Sequence, residues 1–109
     1  MDELTKTIKN LIEFRNERDW EQFHNSKDLA LAISIEASEL LELFLWKDNE
    51  EFDKDKFEDE LADIFSFGLL LAEKHNLNIF EIVNKKILKN SKKYQVSKAK
   101  GTAKKYNEL

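Results

Sequence analysis

With 109 residues the chain has room for one small domain, and the absence of Cys excludes disulfide, zinc-thiolate and thiol chemistry. Apolar residues make up 41% and charged ones 37%, enough for a folded core; no Pro, two Gly and a bias toward Leu, Ile, Phe and Ala point to an all-α fold. The net charge of −4 is unevenly spread: residues 84–109 hold nine lysines and one acid, a formal +8, so residues 1–83 carry −12.

The opening MDELTKTIKN carries acids early and lacks an apolar run, so it reads as neither a signal nor a transit peptide. The longest apolar stretch, Phe65 to Ala72, is too short to span a bilayer, and a soluble cytoplasmic protein is the expectation. Leu4, Ile8, Leu11 and Ile12 predict helix one over about 2–18. The stretch RDWEQFHNSKD breaks that period and reads as a loop, with Asn25 or Ser26 capping the next helix. Helix two follows over about 27–46, apolar on two sides, and the polar KDNEEFDKDK leads to helix three over about 55–75. There Phe57, Leu61, Ile64 and Leu71 form one stripe while Phe65, Phe67, Leu69 and Leu70 cover other sides. A helix apolar nearly all round must be buried all round, which so short a chain does not achieve alone. The core of this four-helix fold is therefore expected to be completed by oligomerisation, as a homodimer or homotetramer. Asn76 and Asn78 precede helix four, about 79–94, and residues 94–109 read as an extended or mobile basic tail on a single domain spanning 1–109.

Two acidic pairs interrupt the apolar helices: Glu36 with Glu39, and Glu60 with Asp63. Residues three apart share a helix face, so each pair aims two carboxylates at one point. Desolvated carboxylates are costly unless paired or bound to a metal, and oxygen-only ligation suits a hard ion, Mg²⁺ before Mn²⁺. A di-iron site would need two Glu-x-x-His strings besides two more Glu; the one present, Glu21 to His24, falls in the loop. His75, at the end of helix three, is expected to meet the helix dipole.

The strings WEQFH, EASE, LFLW and ELAD, with Trp46-Lys47 and the closing KGTAKKYNEL, resemble the MazG-like superfamily of all-α nucleoside triphosphate pyrophosphohydrolases, and most of all its dCTP pyrophosphatase branch. The signature Glu-x-x-Glu followed by Glu-x-x-Asp is present as Glu36-Ala37-Ser38-Glu39 and Glu60-Leu61-Ala62-Asp63. The resemblance implies a MazG-like bundle that hydrolyses a nucleoside triphosphate, dCTP or a modified relative, to monophosphate and pyrophosphate with Mg²⁺, for nucleotide pool control or cleansing. It implies Glu36, Glu39, Glu60 and Asp63 as metal ligands, Trp20, Glu21, Gln22, Phe23 and His24 as a nucleotide pocket, Trp46 packing on the base, and Phe67 as a substrate contact by stacking. The chain departs from the family at Leu11, where relatives carry histidine, at Phe67, where they carry tyrosine, and at Gln95, where they carry proline. Lys92, Lys93, Lys104 and Lys105 are candidates for phosphate contact. The rival readings are a non-catalytic nucleic-acid-binding protein using the lysine-rich tail and a silent oligomerisation module; nucleic acid and membrane are not the expected partners.

Overall fold

The computed structural model describes residues 2–48 and 50–109, and every regular element among them is helical, as the composition predicts. The chain divides into two compact units, a first ending at Asn76 and a second from Leu77 to Leu109.

In the first unit, α1 (Glu3–Glu17) begins where the Asp2 side chain accepts a hydrogen bond from the Thr5 N–H at 2.7 Å. It stops at Arg18 and Asp19, the latter at φ 54°, a left-handed conformation that reverses the chain. A short 3₁₀ turn, Glu21–Phe23, leads to α2 (Ser26–Glu42). Asn25 is its cap, accepting from the Asp28 N–H at 2.8 Å. Helix three is α3 (Lys54–Lys74), capped by Asp53, which accepts from the Asp55 and Lys56 N–H groups. α2 packs along α3 over the longest stretch and α1 lies against it as well. Leu29 of α2 and Leu70 and Ala72 of α3 form the buried centre.

Helix two ends four residues before its expected limit. Leu43, Phe44 and Leu45 bond three residues back rather than four, and Trp46 takes φ 63°. The apolar pattern continues to Trp46, but a tertiary contact wins over it. The Phe44 ring turns to meet Phe52 at 5.1 Å and Phe57 at 6.5 Å between centroids, and Phe52 and Phe57 lie 4.9 Å apart. His75 caps the end of α3, where its Nε2 bonds the Ser26 Oγ at 2.7 Å and so ties that end to the start of α2.

The second unit holds α4 (Ile79–Lys93), whose cap Asn78 accepts from the Phe80 and Glu81 N–H groups at 2.9 and 3.2 Å. The tail departs from the expected extended or mobile chain. It forms α5 (Val96–Ala99) and a 3₁₀ turn at Tyr106–Glu108. The Gln95 carbonyl accepts from the Lys98 and Ala99 N–H groups, so the turn forms without a proline. Tyr106 packs edge-on against Tyr94 at 6.2 Å beneath the Lys93 ammonium, a contact between distant residues that periodicity does not reveal. Among the described residues no helix is long and apolar enough to cross a membrane.

Candidate functional site

The two acidic pairs lie on the facing helices α2 and α3. Glu36, Glu60 and Asp63 each bring a carboxylate oxygen within 4.8 Å of the others. Glu39, one turn along α2, is not among those three but is close enough to bond and repel Glu36. Glu36 Oε2 and Glu60 Oε2 are buried and have no hydrogen-bond partner. Two ionised carboxylates only accept hydrogen bonds, so neither satisfies the other. A proton on Glu36 makes it a donor to Glu60, and the Glu36 carboxyl is accordingly pushed up to about 8. Hydrogen bonding to Glu60 is the largest cause, followed by burial, with Glu39 and Asp63 adding repulsion. A divalent cation would satisfy the same oxygens by replacing the proton.

Beside the carboxylates lies a cavity of about 520 Å³, in the range that holds small-molecule ligands. Helix α1 contributes Leu11, Phe14 and Arg15; α3 contributes Asp63, Ser66, Phe67 and Leu70; the intervening loop contributes Trp20 and His24. Asp63 thus belongs both to the acidic cluster and to the cavity wall. The Trp20 ring meets Phe14 edge-on at 5.7 Å, and His24 meets Phe67 at 6.4 Å. Burial, and secondarily the charge of Arg15, holds His24 below its usual pKa and so in the neutral form; its Nδ1 is buried without a partner.

The remaining expected site residues are placed differently. Glu21 borders a second, polar cavity of about 230 Å³ together with Arg15, His24, Leu70, Glu73 and Lys74. Gln22 turns back to donate to the Asp19 carbonyl and carboxylate, which shapes the loop, and Phe23 is exposed. Trp46 is fully exposed and lines neither cavity. Leu11, at the position where the resemblance places a histidine, and Phe67, where it places a tyrosine, both line the larger cavity and make its wall apolar. Phe14, Arg15, Ser66 and Leu70 were not anticipated. Their signal was available in the spacing: Leu11, Phe14 and Arg15, like Asp63, Ser66, Phe67 and Leu70, recur at helical intervals on one face.

Comparison with known proteins gives a consistent picture. The MazG-like family model matches residues 31–109. The chain is 37% identical to dCTP pyrophosphatase 1 of Bos taurus and 34% identical to that of Homo sapiens, in each case over 89% of this chain and 62% of the relative. It therefore spans less than two thirds of the length of these curated relatives. Among solved structures it is similar to the crystal structure of a pyrophosphatase from Archaeoglobus fulgidus, with a TM-score of 0.81 and 37% identity, covering 87% of this chain and 94% of that one.

Proposed function

The chain belongs to the MazG-like family, and on that premise we propose that it hydrolyses a nucleoside triphosphate to the monophosphate and pyrophosphate. The observation that carries this reading is Asp63, shared by the acidic cluster and the aromatic cavity, so that a ligand filling the cavity meets the carboxylates at one end. Glu36, Glu60 and Asp63, with Glu39 beside them, would hold a divalent cation. The oxygen-only donor set favours Mg²⁺, with Mn²⁺ as the alternative. Such an ion, when bound, neutralises the phosphate chain and lowers the pKa of a coordinated water.

The protein's own groups do the rest. Glu36, whose carboxyl is pushed up to about 8, would have to give up its proton to help hold such an ion. Trp20, Phe14 and Phe67 present ring surfaces against which a base packs. The names of the mammalian relatives support dCTP as substrate; a modified deoxycytidine nucleotide as the substrate, and pool control or cleansing as the role, are what the resemblance adds. The exposed apolar residues of α2 and α3 support a homodimer or homotetramer as the working form.

Incubation with a panel of triphosphates and Mg²⁺, followed by separation of the products, tests the activity. Monophosphate and pyrophosphate are expected, and Glu60→Gln or Asp63→Asn should slow their release by at least about a hundredfold while the fold persists. Release of diphosphate and phosphate instead, or undiminished rates in both variants, would falsify the proposal.

A further inference from the structure

Arg15 has no part in the chemistry above, yet its placement is unusual for an arginine on a short surface helix. Its side chain is only 12% exposed, and one terminal nitrogen approaches the Glu21 carboxylate at 3.7 Å, beyond hydrogen-bond reach. Its Nε donates to the Asn16 side chain at 3.1 Å. Among the described residues neither terminal nitrogen has a hydrogen-bond acceptor. A guanidinium carries five N–H donors and accepts nothing, so the free donors of one that lines a cavity are open to a ligand's acceptors.

Its position along the cavity identifies which part of a nucleotide would supply them. Arg15, His24 and Leu70 border both cavities, and the second reaches on to Glu73 and Lys74 but not to Asp63. From Asp63 to Leu70 is two turns of α3, about 10 Å along its axis. Arg15 therefore stands at the end of the larger cavity away from the carboxylates. A triphosphate anchored at the Asp63 end carries its phosphates toward the acids and, across the sugar, its base toward Arg15, Trp20 and Phe67.

We propose that Arg15 is the specificity-determining contact to the base, donating two hydrogen bonds to adjacent acceptors on its edge and thereby favouring cytosine over thymine and uracil. The inference rests on the triphosphate reading of the same site. Cytosine presents a carbonyl oxygen and an unprotonated ring nitrogen side by side, which a planar guanidinium fork matches. Thymine and uracil carry an N–H where cytosine has that nitrogen, so the second donor of the fork meets another donor. A buried polar mismatch of that kind is a strong discriminator.

The test compares kcat/KM for dCTP, dTTP and dUTP in the unaltered chain, Arg15→Met and Arg15→Lys, alongside thermal melting. Methionine keeps the packing of the stem and removes the donors. Arg15→Met should lower the efficiency on dCTP about ten- to a hundredfold, chiefly through KM, while dTTP and dUTP change less than about threefold. Arg15→Lys should recover only part of the preference, since it keeps the charge and loses the fork, and it provides the same readout if the methionine variant does not fold. An equal loss on all three nucleotides would make Arg15 a structural staple to Glu21 and overturn the inference, as would an unchanged preference. If the unaltered chain releases pyrophosphate from none of them, the triphosphate reading falls and this one with it.

Discussion

At Glu36 and Glu60 two carboxyl oxygens are sealed from water with no donor to bond, and the consequence is measurable in the ion-free protein. Glu36 keeps its proton up to about pH 8 in the folded chain, against 4.5 for an ordinary glutamate in the unfolded one. Between those values the folded state binds the extra proton, so this residue's contribution to stability falls as pH rises. The contribution is complete below about 4.5 and lost as pH passes through about 8. Glu36→Gln, which stays neutral and keeps a donor, removes that dependence. In chelator, the melting temperature of the unaltered chain should therefore drop relative to Glu36→Gln as pH is raised from 5 to 9. Mg²⁺ added at the alkaline end should raise the unaltered chain and leave the glutamine variant nearly unmoved. Parallel curves for the two proteins would mean that Glu36 titrates normally and that the pair is no cation site.

Elements show where local pattern suffices and where it yields to contacts made across the chain. The end of α2 is the clearest case: apolar spacing runs on to Trp46, yet the helix stops at Glu42 because Phe44 is drawn into the Phe52 and Phe57 cluster. Phe44→Ala should cost about 2 kcal/mol in a urea titration, below the full value for a buried phenylalanine because Phe44 is only half-buried. A loss under about 0.5 kcal/mol would show that the turn holds itself by its backbone bonds alone. The starts of the helices were legible, since Asn25, Asp53 and Asn78 cap through local geometry that their residue types announce. The acidic pairs were legible too, because charge on an otherwise apolar helix is costly wherever it falls. Arg15 was not, since an arginine on a mixed surface helix looks solvated until α3 and the loop are folded over it. The ordering of the tail by Tyr94 and Tyr106 was hidden for the same reason.

For the whole molecule the open question is what covers the apolar surface that one chain leaves bare. Leu31, Ile35 and Leu41 are exposed on α2, Leu41 at 62% and Leu31 on the side opposite Leu29 and Glu36, and Phe65 is 64% exposed on the side of α3 turned away from Glu60 and Asp63. Among the described residues only Leu29, Leu70 and Ala72 are buried apolar ones. That is a thin centre for a stable fold of this length, and exposed aliphatic and aromatic residues on two packed helices are what an obligate interface between copies would cover. Sedimentation at micromolar concentration should then give a particle at least twice the 12.9 kDa of the chain. Phe65→Glu and Leu41→Glu place a carboxylate where the proposed interface is dry, a penalty of several kcal/mol that should shift the protein to monomer. Because Phe65 and Leu41 line neither cavity, any loss of pyrophosphate release in these variants should follow dissociation and recover at high protein concentration. A monomeric unaltered chain with full activity would show that these faces stay in water and that the thin core is sufficient by itself.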